Sequence, residues 1–247
     1  MELTNVFDEN FDKVLEYAEA YAPNYDESLK VVLTCAFADL RNLPKLGYPK
    51  KVNDVIQPIP LKDYVEKFID KYLKGYNTRP SVKTGGASAT FPDPAVSIAF
   101  STRVKKVPAE DLPKIISGHS LQMSIENLVG DLLEEYLSIR LAEQGWHCCW
   151  GSSIDAVDFC HTNGDLLQVK NSDNSENSSS SRVRAHTVIK KWARRKSTKK
   201  DTFYWDKLKE LTGANNISEA DFRNFIKETI EANPNCIVVS NEAQYGK

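Results

Sequence analysis

Apolar residues recur every three to four positions through most of the first hundred residues, the spacing of a helix that buries one face. The first two apolar stripes comprise Phe7, Phe11, Val14, Leu15, Leu29, Val32, Leu33 and Ala36. A third stripe over residues 61–73 is followed by Gly75, which predicts a helix that ends at that glycine. The N-terminal part of the chain is therefore predicted to be mainly helical.

The pattern changes in the second half of the chain. A continuous apolar stripe predicts a helix from Ser124 to near Gly145. The remaining predicted elements are extended segments over 146–150, 154–162 and 165–172, a helix over 203–211, a helix capped by Ser218 and a buried strand over 236–239. This order predicts an α/β (α+β) fold in which a small mixed sheet is flanked by helices. We place a helical region at 1–116 and a core at 117–247.

Asn163 and Gly164 separate two of the extended segments and are the strongest turn signal in the sequence. A two-residue type I′ turn needs positive φ at both central positions, and these two residues tolerate it best. Such a turn sets Phe159 opposite Gln168, and every later pair of the hairpin follows from that register.

This register gathers one acidic, one amide and one ammonium group on the same side of the hairpin. Asp155, Gln168 and Lys170 share a face, because directly paired residues lie on one side of a sheet. Asp158 lies on the other face unless a bulge shifts the register, so Asp155 is the preferred acid. Glu126 is a fourth candidate, since helical projection puts it at the rim of the apolar stripe, where a carboxylate needs a partner.

These four residues suit phosphodiester hydrolysis. Carboxylate and amide oxygens are the ligands that Mg²⁺ prefers, so Asp155, Gln168 and Glu126 are predicted to hold Mg²⁺, which Mn²⁺ can replace. A bound cation acidifies a water molecule, and Lys170 can orient that water or neutralise developing negative charge. Taken singly, each residue is more often a solvated surface group; their order along helix, strand and hairpin favours a site.

Charge is distributed unevenly along the chain. The totals of 32 basic and 34 acidic residues give a net charge of −2, which by itself does not indicate a nucleic-acid partner. Residues 182–200, however, include nine lysines and arginines and no acidic residue. Because salt screens charges beyond about 10 Å, the local patch decides binding, and this segment is a candidate for polyanion binding.

The cysteines and the hydropathy limit the classes of protein to consider. The five cysteines are predicted to be reduced and buried. A zinc site is the alternative, disfavoured because no Cys-x-x-Cys pair is present among His147, Cys148, Cys149, Cys160 and His161. No apolar run is long enough to span a bilayer and the N-terminus lacks a signal-peptide pattern, so a cytoplasmic protein without a membrane partner is expected.

Glu126, Asp155 and the run Gln168-Val169-Lys170 resemble the PD-(D/E)xK nuclease core in its glutamine variant. The Ser/Asn-rich run over 170–184 is similar to one that follows the catalytic lysine in type II restriction endonucleases, in particular the SinI-like group that recognises GGWCC. Two departures are Gln168 in place of an acid, which leaves the number of metal ions open, and Ile154 in place of proline.

The resemblance implies a restriction-endonuclease-like core and Mg²⁺-dependent, sequence-specific cleavage of double-stranded DNA by a homodimer. A structure-specific repair or recombination nuclease of the same fold and a non-catalytic nucleic-acid-binding module are the alternatives. The Ser/Asn-rich run can be a flexible linker, but its position favours phosphate contacts. The predicted DNA-binding residues are Asn171, Asn174, Ser175, Ser178, Ser179, Arg182, Arg184, Lys190, Lys191, Arg194 and Arg195.

Overall fold

A computed structural model describes residues 7–53, 55–85, 94–104, 107–174 and 188–237. The helices are α1 (Val14–Tyr21), α2 (Glu27–Ala38), α3 (Leu61–Asn77), α4 (Pro94–Arg103), α5 (Leu112–Arg140), α6 (Trp205–Thr212) and α7 (Glu219–Ala232). The strands are β1 (Lys51–Val52), β2 (Val55–Ile56), β3 (Trp146–Cys148), β4 (Phe159–His161), β5 (Leu166–Ser172) and β6 (Ile189–Arg195).

The larger sheet has four strands in the order β3-β4-β5-β6. The first three are antiparallel neighbours, whereas β5 and β6 are parallel, so the sheet is mixed. Strands β1 and β2 form a separate small hairpin. Helices together with a central mixed sheet confirm the predicted α/β class.

Helix α3 forms because its apolar residues recur at helical spacing and become buried on one side, as predicted. The predicted end at Gly75 is wrong, since the helix continues to Asn77. Gly75 instead permits a close approach, because a Cβ atom there would lie 2.1 Å from the backbone nitrogen of Gly151. The glycine is therefore needed for packing between α3 and the loop after β3.

Helix α5 is 29 residues long and begins earlier than the predicted start at Ser124. Its buried positions begin at Leu128, so the first half has no one-sided buried stripe for a periodicity analysis to detect. The helix crosses residue 116, where we placed the division between the two regions. It ends at Arg140, and the chain turns at Gly145, whose φ is +77°.

The C-terminal elements are set by local capping. The Ser218 Oγ accepts a hydrogen bond from the Asp221 amide at 3.1 Å, which confirms the predicted cap of α7. A strand beginning at Cys236 is wrong, because a 3₁₀ turn covers Pro234–Cys236. The amide of Cys236 donates to the carbonyl of Asn233 within that turn, so it cannot pair with a strand. Residues 238–239 of the predicted strand lie outside the described part.

One cluster of buried apolar side chains joins the N-terminal helices to the sheet. Helix α2 packs on β3 and β4, where the Cys35 thiol donates to the carbonyl of His161 at 3.5 Å. On α5, Tyr136 packs edge-on against Trp205 and also against Phe222. Within the described ranges, no helix combines the length and the apolar character needed to cross a bilayer.

Candidate active site

The turn between β4 and β5 sets the geometry of the site. The His161 amide donates to the carbonyl of Asp165 at 2.9 Å, and the Gly164 amide donates back to the carbonyl of His161 at 2.8 Å. The turn therefore has three residues, 162–164, and the predicted two-residue turn is wrong. The reason is that Gly164, with φ of +89°, has positive φ whereas Asn163 does not, and a type I′ turn requires both.

The longer turn shifts the register by one residue. Phe159 pairs with Leu167 rather than with Gln168, so Asp158 comes level with Gln168. Asp155 is exposed in a turn before β4, where its amide donates to the carbonyl of Asn42 at 3.0 Å. The predicted convergence of Asp155 with Gln168 and Lys170 is thus corrected, and Asp158 occupies the position expected of the acid.

Asp158 lies where β4 separates from β5. Its amide donates to the carbonyl of Leu167 at 3.0 Å, and its Oδ2 accepts from the amide of Val169 at 2.7 Å. The carboxylate thus takes the place of the missing strand partner. Burial raises the pKa of Asp158, while the Val169 amide and the charge of Lys170 act in the opposite direction.

The acidic residue that α5 brings to the site is Glu134, not Glu126. Glu126 is exposed and its Oε1 accepts from the side-chain amide of Gln122 at 3.1 Å. It precedes Leu128, where the helix first becomes buried. Burial raises the pKa of Glu134, and the negative charges of Asp158 and then Asp131 raise it further. Glu134 and Asp158 are therefore close enough to repel each other.

The sequence contains a partial signal for Glu134. Glu134 and Glu135 stand together between Leu133 and Tyr136, inside the apolar stripe of the helix, where a carboxylate needs a partner. The structure separates them, because Glu135 pairs with Arg79 at 3.2 Å. Helical projection favours Glu126, at the rim of the apolar stripe, because periodicity does not reveal which turns of a long helix meet the sheet.

Gln168 and Lys170 alternate on β5, so they share a face as predicted. Gln168 is only 6% exposed, and its Oε1 has no hydrogen-bond partner among the described residues. Both side chains border a cleft of about 440 Å³. Its other lining residues are Asp173, Lys191, Trp192, Ala193, Tyr204 and Lys207. The site is therefore open to a ligand.

The available donor atoms are two carboxylates and one amide oxygen. Half-buried carboxylates that repel each other, together with an amide oxygen that has no partner among the described residues, form a set of hard ligands that a divalent cation would satisfy. The residues that the structure describes hold no group of three or more His, Cys, Asp or Glu side chains suited to a metal. His147 Nδ1 bonds to the Ser28 hydroxyl at 2.9 Å, and His161 Nε2 bonds to the carbonyl oxygen of Gln144 at 2.8 Å.

Strand β6 divides the basic segment between the two sides of the sheet. Parallel pairing sets Lys191 opposite Gln168 and Ala193 opposite Lys170, so these residues share the face of the cleft. Arg195 pairs with Ser172 on the same face. The side chains of Lys190 and Arg194 therefore project to the opposite face. Among the predicted DNA-binding residues of this strand, only Lys191 and Arg195 lie on the cleft side.

Arg194 is a structural residue. It is 8% exposed, its Nε donates to Asn171 Oδ1 at 2.9 Å, and its Nη1 donates to both carboxylate oxygens of Glu219 at 2.8 Å. This corrects the prediction that Arg194 binds DNA, because its guanidinium is held inside the protein. Asn171 uses only its Oδ1 in this contact, so its binding to DNA stays a prediction. Lys190 forms an ion pair with Asp165 at 2.8 Å, away from the cleft.

The other predicted DNA-binding residues follow β5, and most of them lie outside the described residues. Asn174 follows β5 within the described part, and its contact with DNA stays a prediction. The others lie outside the described residues: Ser175, Ser178, Ser179, Arg182 and Arg184.

Comparison with known proteins places the chain in a family. Residues 16–232 match the family model described as SinI restriction endonuclease, which covers most of the chain. The chain belongs to the SinI restriction endonuclease family. This match confirms the resemblance drawn from the sequence, and it includes the N-terminal helices as well as the sheet.

Two members of the curated protein set are similar to this SinI-family chain. The type II restriction enzyme Eco47I from Escherichia coli is 46% identical over 167 residues, which are 66% of this chain and 72% of that protein. The type II restriction enzyme SinI from Salmonella infantis is 40% identical over 164 residues, which are 64% of this chain and 70% of that protein.

Proposed function

We propose that this chain is a type II restriction endonuclease that hydrolyses phosphodiester bonds of double-stranded DNA at a specific sequence, with Mg²⁺ as cofactor. Membership of the SinI family supports the reaction class. The observation that supports the assignment to a site is Gln168, which lines the cleft with Lys170 and stands level with Asp158. Its Oε1 is buried and has no partner among the described residues.

Asp158, Gln168 and Glu134 would hold the cation through their side-chain oxygens. When bound, Mg²⁺ supplies a Lewis acid that makes a bound water more acidic and offsets charge on the phosphate. A cation would also relieve the repulsion that raises the pKa of Glu134 in its absence. The bound ion would therefore stabilise its own protein ligands as well as support the reaction.

Lys170 supplies the ammonium group of the site. Its positive charge opposes the rise that burial causes in the pKa of Asp158, so the two side chains lie near each other. Its remaining N–H donors can orient the attacking water or stabilise the charge that develops on the phosphate oxygens. Lys191 and Lys207, both exposed at the cleft, can contact neighbouring phosphates of the DNA.

The quaternary state and the target sequence are part of the proposal. A homodimer would match the two-fold symmetry of a palindromic or nearly palindromic site and allow both strands to be cut. Sedimentation should then give twice the 27.8 kDa mass of the chain. GGWCC, taken from the resemblance, is the first target to test, and a cytoplasmic location stays a prediction.

Digestion of a plasmid that contains GGWCC sites tests the proposed function. Incubation with Mg²⁺ should give discrete fragments, and sequencing of their ends should locate one recurring site. A plasmid with those sites mutated is the matched control and should stay intact if GGWCC is the target. Smeared products would indicate a nuclease without sequence specificity, and intact DNA across a range of salt and metal conditions would contradict the enzyme assignment.

A further inference from the structure

A short turn at one end of the cleft carries positive charge that the proposed chemistry does not use. Residues 196–202, which we name the basic turn, connect β6 to the region before α6. The turn closes like a hairpin, because Arg195 bridges Phe203 and the amide of Lys196 donates to the carbonyl of Thr202 at 2.9 Å. It contains three lysines and one acidic residue, Asp201, so its net charge is positive.

The charges at the tip of the basic turn are exposed and unpaired. Lys199 and Lys200 are both exposed, and within the described ranges neither forms an ion pair. Lys191 and Lys207 at the cleft are likewise exposed without an acidic partner there. Four ammonium groups without an ion-pair partner in the described part of the chain thus extend from the cleft to the turn. A polyanion that crosses the cleft would meet them in succession.

Asp173 ties the basic turn to β5. Its Oδ1 accepts hydrogen bonds from the Ser197 amide at 2.7 Å and from the Ser197 hydroxyl at 2.6 Å. Its own amide donates to the carbonyl of Arg195 at 3.1 Å. Asp173 also lines the cleft and stands three residues after Lys170, so a single residue links the turn to the strand that carries the reacting groups.

We propose that the basic turn is a clamp for the DNA backbone, with Lys199 and Lys200 on phosphates, and that Asp173 is a positioning residue that couples the clamp to β5. The inference rests on the proposed function, since it assumes DNA as the ligand of the cleft. Phosphate contacts fix the register of a protein on a duplex without reading its sequence. A clamp joined to β5 would let that register set the position of Lys170 against the scissile phosphate.

The clamp is tested by the salt dependence of binding. Lys199→Gln combined with Lys200→Gln should weaken binding of a fluorescein-labelled GGACC duplex in EDTA, where no cleavage interferes. The slope of log affinity against log NaCl concentration should fall by about 1.8, since each lost phosphate contact removes about 0.9. The control pair Lys45→Gln and Lys62→Gln removes the same charge from exposed sites outside the cleft and should keep the wild-type slope. Equal slopes in the two pairs would overturn the clamp.

The coupling through Asp173 is tested by single-turnover cleavage at saturating enzyme, where affinity no longer limits the rate. Asp173→Ala should slow cleavage about tenfold or more, as for loss of a group that orients an active-site residue. Asp173→Asn keeps an oxygen acceptor for Ser197 and should restore most of the rate. If Asp173→Ala folds poorly, Ser197→Ala removes one bond and should give a smaller loss. A wild-type rate in the alanine variants would overturn the coupling.

Failure of this inference and failure of the proposed function give different results. If the wild-type protein binds the duplex but never cuts it, the function fails while the salt slope still decides the clamp. The coupling then has its own measurement, because duplex binding should protect the β5 amides from hydrogen exchange in the wild type and not in Asp173→Ala. If the wild type cuts and the lysine variants bind normally, the clamp alone is wrong.

Discussion

Three positions separate Asp155 from Asp158 in the chain, yet their surroundings differ completely. Asp155 is exposed in a turn, whereas Asp158 accepts the Val169 amide at the point where two strands separate. The local sequence does not distinguish them, because both follow apolar residues in the same predicted segment. The register of the hairpin makes the difference, and that register depends on how many residues the turn contains.

We expect Asp158→Asn to abolish most cleavage and Asp155→Asn to leave it unchanged. Asparagine at position 158 keeps an oxygen for the Val169 amide but removes the negative charge that would hold a cation, so the loss should be on the order of 10²-fold or more. Single-turnover rates in Mg²⁺, with circular dichroism to confirm folding, measure both variants. An inactive Asp155→Asn beside an active Asp158→Asn would restore the original assignment.

Glu134 makes stability depend on pH. Its pKa rises from 4.5 to about 8 in the folded protein, first because of burial and then because of Asp158. The folded state therefore binds a proton more tightly than the unfolded state does. The stabilising contribution is fully present below the unfolded pKa and is lost as pH rises through the folded value.

Urea unfolding in EDTA should thus show lower stability at pH 8 than at pH 5. Glu134→Gln should flatten this dependence and stabilise the protein at pH 8 by on the order of 2 kcal/mol, because it removes a charge that is costly to bury. Added Mg²⁺ should recover stability in the wild type more than in the variant. A wild-type stability that rises steadily from pH 5 to pH 8 would contradict the raised pKa of Glu134.

At the scale of elements, two glycines on helices have opposite environments. Gly75 on α3 faces the backbone of Gly151, and a Cβ atom would lie 2.1 Å from its nitrogen. Gly130 on α5 has nothing within 4 Å of the corresponding position. The same substitution at the two sites therefore separates the effect of packing from the intrinsic preference of alanine for helix.

Gly75→Ala should destabilise the fold by about 3 kcal/mol, because backbone must move to admit the methyl group. Gly130→Ala should stabilise it by up to about 1 kcal/mol through helix propensity. The free energy of unfolding from urea titration measures both. Equal effects of the two substitutions would show that α3 does not depend on close approach to the loop after β3.

Over the whole molecule, the spacing of apolar and capping residues predicted the features that depend on residues close together in the chain. Helix α3, the cap of α7 at Ser218, and the shared face of Gln168 and Lys170 follow from spacing and capping alone, and the structure confirms them. Each is determined by residues within a few positions of one another, where helix and strand periods decide the outcome.

Two of the errors share a physical origin, because each depends on a partner distant in the chain. Arg194 looked like a DNA contact until the fold brought Glu219 to it, 25 residues away. Glu134 was missed because the docking of a 29-residue helix on the sheet is a tertiary event. The Ser/Asn-rich run after β5 was recognised by its resemblance to other nucleases, but the spacing of its residues did not predict which of them contact DNA.

Glu134, Asp158 and Gln168 each carry a desolvation cost in the folded protein. Two are carboxyl groups largely shielded from water, and the third has a buried oxygen without a partner among the described residues. Leucine or methionine of similar volume would fill the same space at less cost. Selection for thermodynamic stability alone would favour such replacements. These polar groups beside the apolar core therefore indicate that selection has kept them for function rather than for thermodynamic stability.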